Sequence, residues 1–547
     1  MKHAGRLLVE QLEVEGVERV FSVPGESFLA VLDGLHDSHV RNIVCRHEGA
    51  AAMMAEATGK LTGRPGVAFV TRGPGATNAA AGVHVARQDS TPMILFVGQV
   101  ARDHRDREAF QELDYRRVFS PMAKWAAEID NPARLPEYVN RAFHVAMSGR
   151  PGPVVLALPE DMLAEEAGDV PLRPAATPTR NAAGIDEAEL LYEHLMRAQR
   201  PLCIVGGSGW SEAARKNLEA FAETFDLPVA VSFRRQDYID NRHAAYAGDL
   251  GVGMNPALAE RVRSADCLLV IGARLGDIAT GGYSLIDPAR PAQRILHVHP
   301  DPDEPGKVFP TDLAIAASSR SMLERLVTYT RPNAVRWSDW RAAARADYEA
   351  WQRRHETPGP VKLEEIVWQM SETLPEDAIL TNGAGNFAAF LHRYYRWKRH
   401  GTQLAPTSGS MGYGFPAAIA ARLAHPDRLV VCLAGDGDFQ MTLNELSTAV
   451  QHGAAVVVIV VNNGRYGTIR MHQEQAFPGR VSGTELANPD FAELARAYGG
   501  HGETVLATED FPSAFRRAVE SGRPAVIELR LDPRVLSTTR TLGSAPG

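Results

Sequence analysis

Short apolar runs rich in β-branched residues alternate along this chain with stretches of helical periodicity. The runs at 20–23, 67–70 and 93–97 are too short for core helices, and glycine-rich or polar loops follow each of them. The same pattern returns further along the chain at 201–205 and 267–271. Strands that alternate with helices in this way predict α/β domains, with doubly wound parallel sheets covered by helices on both faces.

Two stretches without clear periodicity divide the chain into three blocks. Residues 163–186 contain three prolines and resemble a linker, whereas residues 331–362 are charged and rich in tryptophan, which predicts a helix and a second connector. The tail after Pro533 has little pattern and is predicted to form a cap. We therefore predict three doubly wound domains, at 1–165, 187–330 and 363–547.

Two polar clusters near the C-terminus each follow an apolar run. Asp436, between two glycines, comes after the run at 428–434, and Asn463 ends a double asparagine after the run at 455–461. Between the runs, the spacing of a threonine and a glutamate predicts a capping box and a helix over 442–451. The unit is therefore βαβ, and its polar ends lie at the carboxyl ends of parallel strands, where open α/β sheets bind ligands.

The chemistry of these two clusters suits a magnesium ion bound to a phosphate group. Mg²⁺ takes one or two carboxylates and completes its shell with phosphate oxygens and water, so Asp436 and the amide oxygen of Asn463 are suitable ligands. Gly435 and Gly437 allow the backbone to approach a diphosphate closely. A glycine-flanked aspartate alone is also a common turn, but its combination with the double asparagine across 438–461 favours the metal site.

Composition excludes several classes of protein. The 547 residues include 58 basic and 66 acidic side chains, a formal net charge of −8, which leaves no basic footprint for nucleic acid. The four cysteines are far apart and predict reduced, buried thiols rather than disulfides or a zinc site. No apolar run reaches the length of a membrane span, and the N-terminus leads directly into an amphipathic helix. We therefore expect a cytoplasmic protein that binds neither nucleic acid nor membrane.

The pattern Gly-Asp-Gly, 24 intervening residues and Asn-Asn resembles the cofactor motif of the thiamine diphosphate-dependent decarboxylase and carboligase superfamily. The resemblance implies thiamine diphosphate and Mg²⁺ as cofactors. It also implies that Asp436, Asn463 and the backbone carbonyl of Arg465 are the protein ligands of the metal.

The resemblance extends to residues that activate and bend the cofactor. Glu48 matches the glutamate that hydrogen-bonds the aminopyrimidine ring in this superfamily, although a glutamate at a helix start is otherwise ordinary capping chemistry. Met411 matches the apolar wedge between the two rings, although core packing is its alternative role. Further cofactor contacts are implied for Gly385, Asn386, Gly409, Gly435, Gly437, Asp438, Pro74 and Asn78.

Within the superfamily, the chain resembles acetohydroxyacid synthase (acetolactate synthase) over nearly its whole length. Phe110 and Gln111 match a pair that lines the substrate channel there. The central block resembles the domain that binds a structural FAD, although an empty nucleotide fold or an ADP site remains an alternative. The FAD contacts implied are Gly206, Gly207, Ala273, Arg274 and Asp301.

Four positions separate this chain from simple 2-oxoacid decarboxylases or from the synthases. The decarboxylases carry a histidine pair where this chain has Phe110 and Gln111, and a glutamate where it has Ile469. Loss of these proton donors favours a carbonyl group over a proton as the electrophile. Glu26, after Gly25, lies where decarboxylases have aspartate and the synthases usually have glycine, which predicts proton transfer or contact with a polar acceptor.

Three functional hypotheses follow from these observations. The first is a carboligase that decarboxylates a 2-oxoacid, pyruvate being favoured, and adds the acyl group to a carbonyl acceptor. The second is a 2-oxoacid decarboxylase or acyl-CoA lyase of the same superfamily, and the third is a non-catalytic regulatory relative. Retention of Glu48, Asp436 and Asn463 argues against the third. The resemblance also implies a homodimer or homotetramer with active sites at the subunit interface.

Overall fold

Three six-stranded sheets follow one another along the chain in the computed structural model, which describes residues 2–179, 181–331 and 335–543. Every pair of neighbouring strands in these sheets is parallel, and the interior strands are buried over most of their length because helices cover both faces. The predicted fold class, three doubly wound α/β units, is confirmed. The strands of each sheet fall inside one of the three ranges that we propose as domains.

The first sheet has the strand order β2-β1-β3-β4-β6-β5. Its strands are β1 (Arg19–Ser22), β2 (Arg41–Val44), β3 (Gly66–Val70), β4 (Met93–Gln99), β5 (Trp125–Glu128) and β6 (Pro153–Pro159). Its helices are α1 (Ala4–Val14), α2 (Leu29–His36), α3 (Glu48–Thr62), α4 (Pro74–Asp89), α5 (Tyr115–Phe119), α6 (Leu135–Met147) and α7 (Glu160–Ala164).

The central sheet has the order β12-β11-β10-β7-β8-β9. Its strands are β7 (Pro201–Val205), β8 (Val229–Ser232), β9 (Tyr246–Leu250), β10 (Cys267–Ile271), β11 (Arg294–His299) and β12 (Leu313–Ala316). Its helices are α8 (Ile185–Met196), α9 (Glu212–Phe225), α10 (Pro256–Ser264), α11 (Ser319–Leu326) and α12 (Ser338–Trp351). Read from its other edge, this is the 3-2-1-4-5-6 order of dinucleotide-binding sheets, which reverses direction between β7 and β10.

The third sheet repeats the strand order of the first, as β14-β13-β15-β16-β18-β17. Its strands are β13 (Ile379–Asn382), β14 (Gln403–Leu404), β15 (Val430–Gly435), β16 (Val457–Asn462), β17 (His501–Val505) and β18 (Ala525–Arg530). Its helices are α13 (Leu363–Thr373), α14 (Phe387–Tyr394), α15 (Gly414–Ala424), α16 (Asp436–Phe439), α17 (Leu446–Gln451), α18 (Gly467–Ala476), α19 (Phe491–Ala497) and α20 (Phe511–Glu520).

The first and third units pack together through alanine-rich helices α3 and α15. A buried polar cluster accompanies this contact: the Tyr413 hydroxyl donates to Glu56 at 2.5 Å, and the Lys60 ammonium lies 2.8 Å from Asp89. Although burial opposes it, Lys60 together with Arg235 of the central unit keeps the pKa of Asp89 below its usual value. The three units are therefore joined by charged groups that satisfy one another.

The predicted βαβ unit is present, but the helix inside it differs from the prediction. β15 and β16 pair in parallel, and α17 ends before Gly453, whose φ is +67°. The predicted capping box at Thr442 does not form, because the Thr442 hydroxyl donates to the Gly412 carbonyl and the Glu445 carboxylate accepts from Arg46. A short 3₁₀ turn takes the place of the first helical turn.

Candidate active site

A cavity of about 240 Å³ lies at the carboxyl ends of β13, β15 and β16. These strands flank the point where the strand order reverses, which is where doubly wound sheets bind ligands. The predicted residues that line the cavity are Gly385, Asn386, Gly409, Met411, Gly435, Asp436, Gly437, Asp438, Asn463, Arg465 and Ile469. Val535 and Leu536 of the C-terminal tail line it as well, so this part of the tail covers the site.

Asp436 is buried at the start of α16 and is held by three donors. One carboxylate oxygen accepts the Gly437 N–H at 2.9 Å, and the other accepts the Gly464 N–H at 2.9 Å and the Asn488 side-chain amide at 2.7 Å. Burial raises the pKa of Asp436, and these donors offset part of that effect. Since a carboxylate offers about four acceptor positions, Asp436 keeps room for a cation.

The two neighbouring asparagines have different roles. Asn462 is buried, and its amide donates to Glu528 at 2.6 Å while its oxygen accepts from Gly464 and Asn488. Asn463 is half-buried and lines the cavity. Asn462 therefore ends β16 with its side chain bonded inside the protein, whereas Asn463 lines the cavity.

Two glycines and one aspartate shape the cavity wall. Gly409 has a φ of +68°, and a methyl group on Gly437 would lie 2.4 Å from Tyr466 Cε1. Asp438 accepts the N–H groups of Gly412 at 2.8 Å and Ala384 at 3.2 Å, and burial raises its pKa to about 7. Asp438 thus joins the two loops on either side of the cavity.

Glu48 begins α3 on an exposed face of the N-terminal unit, beside the N-terminus of α4. Its carboxylate accepts the Asn78 side-chain amide at 3.0 Å, and the other oxygen lies 3.2 Å from the Cβ position of Gly75. Pro74 and Asn78 are both exposed on this face. The predicted partners Glu48, Pro74 and Asn78 are therefore brought together.

The segments that carry Glu26 and Gln111 lie close to the same loop. A methyl group added to Gly25 would lie 2.5 Å from Thr71 Cβ, and one added to Gly73 would lie 3.0 Å from the Gln111 carbonyl oxygen. Phe110 is 76% exposed, and Gln111 adopts a φ of +65°. We name the surface formed by Gly25, Glu26, Glu48, Pro74, Asn78, Phe110 and Gln111 the N-terminal face.

The N-terminal face and the C-terminal cavity are separate within one chain. All described residues that line the cavity belong to the C-terminal unit, so Glu48 lies outside it. The candidate activating carboxylate and the candidate metal ligands are therefore not brought together by a single copy of the chain.

Two more cavities, of about 110 and 400 Å³, lie along the central unit. Both contact Gln88, Phe233 and Asp277, and the larger shares Gly385, Asn386 and Gly409 with the C-terminal cavity. Together the three cavities follow one groove across the molecule.

Of the five residues predicted to contact FAD, two line the smaller cavity and three do not. Gly207 and Arg274 line the smaller cavity, and the Arg274 guanidinium donates to the Gln88 carbonyl at 3.1 Å. Ala273 is buried, with its carbonyl accepting from His297 at 2.9 Å, and Gly206 donates to the Ile271 carbonyl. Asp301 caps its own turn, with its carboxylate accepting from Asp303.

Comparison with known proteins matches all three units. Three family models of thiamine pyrophosphate enzymes match the chain. The N-terminal TPP binding domain matches residues 2–118, the central domain matches 188–326 and the C-terminal TPP binding domain matches 383–529. The acetolactate synthase large subunit of Parasynechococcus marenigrum is 33% identical over 96% of this chain and 86% of its own length. The chain belongs to the acetolactate synthase family of thiamine pyrophosphate enzymes. The acetolactate synthase isozyme 2 large subunit of Escherichia coli is 31% identical over 96% of this chain and 95% of its own length. The mitochondrial acetolactate synthase catalytic subunit of Saccharomyces cerevisiae is 31% identical over 97% of this chain and 81% of its own length.

The C-terminal cavity suits the cofactor that gives this family its name. Glycine positions without room for a side chain flank it, and the buried Arg465 Nε, which lines it, has no hydrogen-bond partner among the described residues. Met411 lies half-buried in the wall, so both apolar and polar surfaces are available to an aromatic ring and a diphosphate.

Asn488 bonds two residues of the candidate site, although no sequence pattern predicts it. It donates to Asp436 and to Asn462, yet it lies in a loop before α19 with no spacing relation to either. In the part of the chain that the structure describes, no three His, Cys, Asp or Glu side chains form a metal-binding group. A cation here would therefore depend on Asp436, an amide, a backbone carbonyl and ligand oxygens. No described helix is long and apolar enough to span a membrane.

Proposed function

We propose that this protein is a thiamine diphosphate- and Mg²⁺-dependent carboligase of the acetolactate synthase type. It decarboxylates a 2-oxoacid, pyruvate being favoured, and joins the remaining acyl group to a carbonyl acceptor. The carrying observation is that Asp436 and Asn463 meet at one cavity of a C-terminal TPP binding domain, with Gly464 and Asn488 orienting the carboxylate.

Each residue has a defined task in this proposal. When bound, thiamine diphosphate would supply a nucleophilic carbon and an acceptor for the electrons released by decarboxylation. Asp436, Asn463 and the Arg465 carbonyl would hold Mg²⁺ and through it the diphosphate, and Met411 would pack against the rings of the cofactor. Glu48 would exchange a proton with the pyrimidine ring, and its hydrogen bond from Asn78 orients its carboxylate.

The separation of Glu48 from the cavity of its own chain supports a site shared between two copies. The N-terminal face carries exposed Pro74 and Asn78 beside Glu48, and the C-terminal cavity is lined by Asp436 and Asp438 but not by Glu48 of the same chain. We therefore propose a homodimer, or a homotetramer built from such dimers, with two equivalent sites in each dimer. A cytoplasmic location is part of the proposal and is supported by four buried free cysteines.

The test is identification of the products from pyruvate by mass spectrometry. Protein reconstituted with thiamine diphosphate and Mg²⁺ receives pyruvate alone and then pyruvate with a panel of aldehydes, ketones and 2-oxoacids. We expect carbon dioxide together with a ligated product. Carbon dioxide with free aldehyde in every mixture would identify the alternative, a 2-oxoacid decarboxylase, whereas turnover of an acyl-CoA alone would identify a lyase.

We further propose that the central groove binds FAD as a structural group. The Rossmann strand order places Gly207 and Arg274 at the point where the sheet reverses, and three buried atoms that line the larger cavity have no described hydrogen-bond partner: Arg234 Nε, His392 Nε2 and Ser408 Oγ. Burial lowers the pKa of His392, so its ring is neutral and suited to an uncharged ring system.

Mass spectrometry of nucleotides released by heat tests the flavin proposal. We expect FAD, with a flavin absorbance that stays oxidised throughout turnover. Release of ADP instead, or a colourless preparation that is fully active and ignores added FAD, would reject it.

A further inference from the structure

Glu26 is held in place by a buried arginine. Its carboxylate lies 2.5 Å from Arg72 Nη2, and Arg72 Nη1 lies 2.8 Å from Glu160 on α7. The Arg72 side chain is 8% exposed, whereas that of Glu26 is 62% exposed. Since one guanidinium serves two carboxylates, the group has a formal charge of −1, and each terminal nitrogen of Arg72 already pairs with a carboxylate of the protein.

This group lies next to the candidate activating carboxylate. A methyl group added to Gly25 would lie 2.5 Å from Thr71 Cβ, and one added to Gly75 would lie 2.9 Å from Thr71 Cγ2 and 3.2 Å from Glu48 Oε1. Thr71 therefore lies between the segment that carries Glu26 and the backbone at Gly75 that Glu48 faces. If that face closes the cavity of a second copy, Glu26 enters the same reaction space as Glu48.

We propose that Glu26, fixed by Arg72, selects the acceptor: it excludes carboxylate-bearing acceptors such as a second 2-oxoacid and binds a neutral carbonyl compound that carries a hydroxyl group. The inference rests on the proposed function and names the class of its second substrate. A fixed carboxylate repels another carboxylate, and the nearest guanidinium is already engaged. The same carboxylate accepts a hydrogen bond from a hydroxyl group, which a purely apolar acceptor cannot offer.

The reaction with glycolaldehyde illustrates the predicted class. The bond between the carbonyl and carboxyl carbons of pyruvate breaks and releases carbon dioxide. A new bond joins the former carbonyl carbon of pyruvate to the aldehyde carbon, and the aldehyde oxygen takes up one proton from solvent. The product is 3,4-dihydroxybutan-2-one, and no oxidant or reductant is needed.

A competition experiment tests the selection. The reconstituted protein receives pyruvate with equal concentrations of glycolaldehyde and 2-oxobutyrate, and the two ligated products are quantified together with carbon dioxide. We expect the wild type to favour the glycolaldehyde product by at least about tenfold, as like charges in a site disfavour a partner strongly. Glu26→Gly should lower this ratio at least about tenfold, and Glu26→Gln should lower it because the charge is lost.

Asp161→Asn is the matched control. Asp161 lies next to Glu160 on α7, but its carboxylate pairs with Arg102 rather than with Arg72. Its product ratio should equal that of the wild type. A wild type that prefers 2-oxobutyrate, or ratios unchanged in both Glu26 variants, would overturn the inference while carbon dioxide release still supported the proposed function. No carbon dioxide from pyruvate in any mixture would reject the proposed function itself.

Discussion

The carboxylate of Glu445 accepts the backbone N–H of Arg46, with its two oxygens 3.1 and 3.2 Å away. Arg46 belongs to the loop that leads into Glu48, and Glu445 belongs to the segment that follows Asp436. The loop that leads into Glu48 is thus anchored to the C-terminal unit of its own chain, yet Glu48 lies outside that unit's cavity. This arrangement supports a site completed by a second copy.

Mixing two inactive variants tests the shared site. Glu48→Gln lacks the proposed activating carboxylate and Asp436→Ala lacks the proposed metal ligand, so each variant alone should have little activity. After subunit exchange, mixed dimers should carry one site with both residues intact, and activity should return. Exchange is verified with differently tagged chains, and verified mixed dimers without activity would argue for sites within single chains.

Asn488 is expected to tune metal affinity. Its amide donates to Asp436 at 2.7 Å, and loss of such an orienting partner typically weakens metal binding about 10- to 100-fold. We therefore expect Asn488→Ala to need more Mg²⁺ for half-maximal activity, with the rate restored at saturating Mg²⁺. Asp436→Ala should not be rescued in this way.

Asn131→Ala, at an exposed turn of the N-terminal unit, is the control for the Mg²⁺ titration. Its Mg²⁺ dependence should match that of the wild type. An unchanged titration for Asn488→Ala would show that Gly437 and Gly464 alone are enough to orient Asp436.

The elements of the fold were predictable where local pattern dominates. Buried runs such as β10, and β16 as far as Val461, are apolar throughout because helices cover both faces, so their sequence marks them directly. The true start of α17 at Leu446 was not predictable, since both groups of the expected capping box bind residues distant in sequence, Gly412 and Arg46. Tertiary contacts override a local signal there.

For the candidate site, sequence patterns point only to the motif residues. Asp436 and Asn463 follow strands that pair in the sheet, so their proximity comes from topology. Asn488 lies in a loop, and the pairing of Glu26 with Arg72 joins two different loops, so neither has a spacing that a sequence pattern could reveal.

Glu48→Gln should bind the cofactor but activate it poorly. Glutamine keeps the shape of the side chain and its contact with Asn78, but it cannot exchange a proton with the pyrimidine ring. We expect a loss of at least about 10²-fold in the rate of hydrogen–deuterium exchange at C2 of the bound thiazolium, measured by NMR. Asn78→Ala should cause a smaller loss, because it removes the orienting donor and leaves the carboxylate. An unchanged exchange rate in Glu48→Gln would leave Glu48 with only its role at the start of α3.

Ile469 is expected to direct the reaction toward ligation. It lies on α18, lines the cavity and is 53% exposed, so a side chain at this position reaches the reaction space. After decarboxylation of pyruvate, the two-carbon unit is released as acetaldehyde if a proton donor lies within hydrogen-bond reach, and is ligated if only a carbonyl acceptor does. Ile469→Glu should therefore raise the ratio of acetaldehyde to ligated product, measured by mass spectrometry at saturating acceptor. Ile469→Gln matches its size without an acidic proton and should change the ratio less. Equal ratios in these two variants would show that the polarity of this position, rather than proton donation from it, decides between the products. A wild type that gives mostly acetaldehyde with every acceptor would assign proton donation to another group, and Glu26 on the N-terminal face is the candidate.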